Sequence, residues 1–163
     1  MSVVVVGTVA LDCLTTPFGS VDEELGGSAC YFALAARLYD EVKLLAVVGT
    51  DFADAHIQCL RNCGIDTSGL QVCEGRTFRW KGRYGEDLNT AITLDTQLNV
   101  LGEFRPVLPD GCRQPDVLFL ANVDPDLQLE ALAQAPGARL KVADTMNYWI
   151  DGKRDSLTRV FSQ

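Results

Sequence analysis

The apolar positions of this chain fall into short runs closed by glycine or acidic residues. Val3 to Val6 is an unbroken β-branched run ending at Gly7, the pattern of a strand buried on both faces. After a loop, Gly26-Gly27-Ser28 opens a helix predicted from Ala29 to Tyr39. That helix is apolar on nearly every side, which predicts deep burial. Leu44 to Val48 is a second buried strand, stopped by Gly49, and Thr50 or Asp51 stands where it can cap the next helix. In that helix Ala53, Ile57 and Leu60 recur on one face, and Gly64 occupies the usual C-terminal position.

The period then changes. From Thr77 to Tyr84, Phe78, Trp80 and Tyr84 fall on one face and Arg79, Lys81 and Arg83 on the other, the alternation of a half-exposed strand. Gly85-Glu86-Asp87 is a turn, and Thr90, Ile92 and Leu94 return as a second strand, so a hairpin is inserted between two α/β stretches. Residues 102–116, with three prolines and Asp110-Gly111, read as a loop. Beyond it, Val117 to Ala121 is a buried strand and Asp124 to Gln134 a helix with Leu129, Leu132 and Ala133 on one face. Leu140 to Ala143 is another buried strand, and Asp155 to Phe161 a last amphipathic segment.

Alternating strands and helices predict an α/β fold with a mostly parallel sheet covered on both faces. Ligands bind such sheets at the carboxyl ends of the strands. That rule selects Asp12, Gly26-Gly27, Asn122 and the loop from Asp144 to Asn147.

Composition narrows the function. The 163 residues make one ordinary domain with a net charge of -8, which argues against a nucleic-acid binder. No apolar run approaches the roughly 18 residues a membrane helix needs, and Val3–Val6 lacks the basic start of a signal peptide, so the chain reads as cytoplasmic. Six cysteines form no Cys-x-x-Cys pair, and His56 is the one histidine. This predicts reduced thiols packed as small hydrophobes and no metal site.

In order and spacing, Asp12 after the first strand, the stretch Gly26-Gly27-Ser28-Ala29-Cys30-Tyr31-Phe32-Ala33-Leu34-Ala35-Ala36 and Val48-Gly49-Thr50-Asp51 resemble the ribokinase-like, or PfkB, carbohydrate kinase family. Asp144-Thr145-Met146-Asn147 looks like a variant of its Asp-x-Asn motif, and the inserted hairpin resembles its β-lid. The resemblance implies a ribokinase-like three-layer αβα (Rossmann-like) fold over residues 1–163, read as a partial PfkB domain with lid strands near 12–18 and within 70–100. It implies ATP- and Mg²⁺-dependent phosphoryl transfer to a hydroxyl of a sugar or nucleoside. It also implies substrate contacts by Asp12, Gly26, Gly27, Asn122 and Asn147. Tyr31 stands near where many relatives carry an asparagine and offers a hydroxyl and a stacking face.

Each candidate has a plainer alternative. Asp12 is a loop or capping residue, Gly26-Gly27 simple turn chemistry, and Tyr31 a packed helix residue. Asn122 is a cap for the helix near Asp124, and Asp144 a loop stabiliser. Arg79, Lys81 and Arg83 read best as a solvated face, with Arg79 the exception that would meet a phosphorylated or acidic substrate. Phe78, Trp80 and Tyr84 either pack on the body or form a face for a lid-mediated homodimer.

The Gly-Ala-Gly-Asp string that supplies the family's anion hole and base is not among these residues, nor is a Walker Gly-x-x-x-x-Gly-Lys; Pro136-Gly137-Ala138-Arg139 lacks the aspartate. The ATP part and the base are expected beyond Gln163, with the chain read as truncated and binding ATP poorly alone. Two further readings stand beside the kinase fragment: a non-catalytic sugar- or nucleoside-binding module, and a protein that pairs through its lid.

Overall fold

The computed structural model describes residues 1–163. Its main sheet has five parallel strands: β1 (Ser2–Val6), β4 (Glu41–Gly49), β5 (Ile65–Cys73), β8 (Val117–Leu120) and β9 (Leu140–Ala143), in the order β5-β4-β1-β8-β9. The valine run explains why β1 is central. Val3 and Val5 enter one apolar cluster with Leu44, Ala46 and Val48; Val4 and Val6 enter the other with Leu45, Val47, Leu118 and Leu120. Helices α1 (Ser28–Ala36) and α2 (Asp54–Asn62) cover the first face through Ala29, Cys30, Ala33 and Leu60. Helices α3 (Pro125–Gln134) and α5 (Arg154–Phe161) cover the second, helped by Leu101, Phe104, Leu108 and Cys112 from the connecting segment. A short α4 (Asn147–Gly152) leads into α5. The architecture is the expected three-layer αβα. No helix is long and apolar enough to cross a membrane.

A second, four-stranded sheet stands apart, with β2 (Ala10–Thr16), β3 (Gly19–Gly26), β6 (Arg79–Tyr84) and β7 (Ala91–Gln97) in the order β3-β2-β6-β7. It is two antiparallel hairpins joined by the parallel pair β2–β6. The β6–β7 hairpin is the expected one. The stretch read mainly as a loop before Gly26 is instead the β2–β3 hairpin. Its outer strand runs Gly-Ser-Val-Asp-Glu-Glu and is exposed over six successive residues, so no apolar alternation marks it. Residues 70–73 lie in β5 of the main sheet, not in the lid.

Other expectations are corrected. Helix α1 stops at Ala36 and buries only Ala29, Cys30 and Ala33, because one helix on a sheet face hides one stripe; Tyr31 and Tyr39 face solvent. Helix α2 starts after Ala53 with no side-chain cap, since Asp51 is engaged elsewhere. Helix α3 buries Leu127, Gln128, Ala131 and Leu132; of the expected face, Leu132 is buried, Leu129 packs partly buried on the core and Ala133 is exposed, and the cap is Asp124, which accepts from the Asp126 amide at 3.0 Å. Strand β9 is an edge, with Leu140 and Val142 exposed on the side of the sheet that α5 does not cover. All six cysteines are free, but only Cys30 and Cys112 are buried; Cys59 and Cys73 are exposed because they lie on the outer sides of α2 and β5.

Candidate functional site

The site forms where β1 gives way to the lid. From Val6 the chain crosses Gly7 to Val9 and enters β2, whose Asp12 pairs with Glu24 of β3 on one side and Trp80 of β6 on the other. Residues opposite one another in a sheet share a face. Asp12, Glu24, Trp80 and Gly82 therefore line one face of the lid, and Cys13 and Lys81 the other.

Asp12 faces the turn that opens α1. A Cβ on Gly26 would collide with the Asp12 carboxylate, so the missing side chain is what leaves the carboxylate its place. Gly27 has φ 95°, and a Cβ there would strike the Thr8 carbonyl oxygen, so both its backbone angle and its surroundings require glycine. Burial pushes the Asp12 carboxyl up to about 6, against a hydrogen bond from the Gly27 backbone that favours the charge.

A polar knot holds the turn. The Thr8 and Ser28 hydroxyls lie 3.0 Å apart and both reach the Asn122 carbonyl, at 3.2 and 3.3 Å, so their two protons are shared among these three contacts. The Ser28 amide donates to Thr8 Oγ1 and the Ala29 amide to the Thr8 carbonyl. Asn122 thus joins the end of β8 to the end of β1 through its main chain. Its side-chain Nδ2 donates to Met146 Sδ at 3.1 Å, while its buried Oδ1 has no partner. It does not cap α3, which Asp124 does.

Tyr31 is 57% exposed on α1, on the cleft side rather than packed in a helix interior. Partial burial raises its phenol, and so do the nearby charges of Asp12 and Glu24 and the Tyr84 phenol. Asn147 is the exposed first residue of α4; it joins the rest only through its neighbour Met146. Arg79, opposite Leu11 in the register, lies on the lid face away from Asp12. Its guanidinium is engaged by Glu23, Asp51 and the Thr77 carbonyl, because those two carboxylates lie on either side of it. Phe78 packs against the core of the body, and the Trp80 ring lies over Gly82. The structure therefore brings Asp12, Gly26, Gly27 and Tyr31 together, sets Asn122 beside them, and leaves Asn147 at the rim. Sequence reasoning passed over Glu24, Thr8 and Ser28. Glu24 lies in the strand whose pattern was hidden, and Thr8 and Ser28 carry no signal beyond their place beside the selected residues.

The donor set does not form a cradle for ATP and Mg²⁺. The first amides of α1 are taken by Thr8, and the turn at Gly137 lies at the amino end of β9, across the sheet from Asn122.

No family model matches the chain. A cytidine kinase of Thermococcus kodakarensis is 28% identical over 167 residues, an alignment covering all of this chain and 59% of that protein. Among solved structures, the Methanocaldococcus jannaschii nucleoside kinase, described as an archaeal member of the ribokinase family, superposes with a TM-score of 0.75 at 23% identity. That match covers 98% of this chain and 57% of the other. The Burkholderia thailandensis nucleoside kinase in complex with inosine superposes with a TM-score of 0.69 at 16% identity, over 97% of this chain and 56% of the other. Other structures of this fold hold ADP, or ATP with Mg²⁺. The chain spans 59% of the cytidine kinase and between 41% and 59% of the solved structures it matches.

Proposed function

We propose that this chain, a ribokinase-like protein by its fold, its motifs and its cytidine kinase relative, forms the acceptor-binding part of a nucleoside kinase. The observation that carries the reading is Asp12. Its half-buried carboxylate sits against Gly26, under the lid and beside Tyr31. A carboxylate accepts hydrogen bonds from two vicinal hydroxyls at once, as a ribose presents them. Tyr31 supplies a flat apolar face beside that position for a nucleobase. A cytidine kinase among the relatives and an inosine complex among the structures favour nucleosides over free sugars.

Phosphoryl transfer is positioning plus stabilisation of charge. These residues supply the positioning of the acceptor. No base, anion hole or site for ATP and Mg²⁺ is assigned among residues 1–163.

Titration calorimetry of the chain with cytidine and with inosine tests the reading. Binding is expected, with a loss of roughly ten- to a hundredfold in Asp12→Asn, the size of a hydrogen bond to a charged group. A chain that binds neither nucleoside would sink the proposal. A lid-mediated homodimer is proposed separately; sedimentation velocity of the chain and of Trp80→Ala reads it, and a monomer in both counts against it.

A further inference from the structure

Charged side chains hold the lid to the body where the segment entering β6 passes the end of β4. The segment entering β6 passes across the end of β4 so closely that a Cβ on Gly49 would collide with the Gly75 carbonyl. The Gly49 amide donates to Thr77 Oγ1 at 3.0 Å. Thr77 in turn donates twice to Asp51 Oδ1, from its amide at 2.8 Å and from its hydroxyl at 2.7 Å. Arg79 then reaches in two directions. Its Nη1 donates to Asp51 Oδ2 at 2.8 Å, and its Nε and Nη2 both approach Glu23 Oε1 at 2.8 Å. Only 11% of the Arg79 side chain is exposed. Burial by itself would raise the Asp51 carboxyl, but the bonds from Thr77 and Arg79 outweigh it and hold the group below the usual range.

Two residues touching this network have backbone angles that side chains rarely adopt. Glu23 has φ 55° and Asn99 φ 48°. Asn99 Nδ2 donates to the Thr77 carbonyl at 2.9 Å, and Glu23 accepts from Arg79. Left-handed backbone at such residues persists where the surroundings over-determine it. Glu23 immediately precedes Glu24, the register partner of Asp12, next to the irregularity that displaces β2 against β3.

We propose that Arg79 is a positioning residue that fixes the Asp12-bearing hairpin β2–β3 to the body of the protein, through Glu23 on one side and Asp51 on the other. The network reaches Asp12 without contacting it. Arg79 holds Glu23, Glu23 sets the path of β3, and β3 sets the place of Asp12 against Gly26. The planar fork suits this task, since one guanidinium serves two carboxylates in fixed directions and a lysine ammonium does not. The coupling is independent of the proposed function; only the use to which Asp12 is put rests on it.

The test needs no substrate. Amide hydrogen exchange is measured on the chain and on Arg79→Met, Arg79→Lys and Glu23→Gln, together with the titration of the Asp12 carboxyl by carbon-13 NMR. In Arg79→Met, amides of β2 and β3 are expected to exchange roughly tenfold faster while those of β1, β4 and β8 hold their rates. Asp12 is expected to titrate below its native value of about 6 as water reaches it. Arg79→Lys recovers part of the difference. Glu23→Gln, at a side chain 53% exposed, reproduces the faster exchange of β3 and keeps the test alive if Arg79→Met does not fold. Unchanged β2 and β3 rates with an unchanged Asp12 titration in both Arg79→Met and Glu23→Gln overturn the proposal. So does acceleration of β1, β4 and β8 in parallel with the hairpin.

Discussion

The carboxyl of Asp12 keeps its proton to about pH 6 because burial disfavours its charge more than the Gly27 hydrogen bond favours it. An exposed aspartate titrates near 3.9. Between those two pH values the unfolded chain releases this proton while the folded chain retains it. The folded state then binds more protons, so stability falls as pH rises from about 4 to about 6 and levels off above. Allowing for solvent near the partly open group, ionisation of Asp12 costs about 1–2 kcal/mol at neutral pH. Asp12→Asn is therefore expected to melt above the wild type at pH 7 and level with it at pH 4; equal melting temperatures across this range would refute the account. The neighbouring glycines separate two effects. Gly27→Ala forces φ 95° on a residue with a side chain and drives it into Thr8, at an expected loss of about 2–3 kcal/mol in urea unfolding. Gly26→Ala displaces the Asp12 carboxylate from a backbone without positive φ, so nucleoside affinity should fall more than stability does.

Among the elements, α3 does more than cover the sheet. Its Gln128 is 1% exposed, and Nε2 lies within hydrogen-bonding range of the carbonyls of Leu120, Ala121 and Asp144 at 3.3, 3.1 and 3.0 Å. It holds the ends of β8 and β9 level, and these carry Asn122 and the loop from Asp144 to Asn147. Gln128→Leu keeps the volume but takes their side-chain donor from the Ala121 and Asp144 carbonyls, the Leu120 carbonyl still accepting from the Asp144 amide, so urea unfolding is expected to show a loss of about 2–3 kcal/mol. An unchanged midpoint would mean that water satisfies those carbonyls. Gln128 also marks a limit of what patterning reveals, because a buried amide breaks the apolar count, and the predicted face of α3 slid to Leu129 and Ala133. Strands β1, β4 and β8 were legible because each is an apolar run that the body largely buries. The outer lid strand was not, because Asp22, Glu23 and Glu24 face solvent, and β5 was not, because Ser68-Gly69 interrupts its pattern. Of the site, Asp12 and the glycine pair were legible from their place after a strand and before a helix. The partnership of Arg79 with Asp51 and Glu23 was not, since it joins residues 28 and 56 positions apart.

Across the whole molecule, and on the proposed function, the distribution of charge sets which acceptors the cleft would admit. The chain carries a net charge of -8, and the lid face containing Asp12 also contains Glu24. The basic residues of β6 do not offset them there. Lys81 and Arg83, paired with Cys13 and Thr15, stand on the opposite face, and Arg79 is bound between two carboxylates. A cationic strand over the cleft, ready for a phosphorylated or acidic substrate, is therefore not what the fold produces. Low-dielectric walls strengthen the field of unpaired carboxylates, and salt weakens it over a Debye length of about 10 Å at 0.1 M. Calorimetry at low and at high ionic strength is expected to show cytidine or inosine binding with affinities that change little. Ribose 5-phosphate should bind at least about tenfold more weakly at low salt, and the gap should narrow as salt is added. The reverse order, with the phosphorylated sugar favoured and its advantage lost in salt, would place a free cation in the cleft and return Arg79 to the substrate.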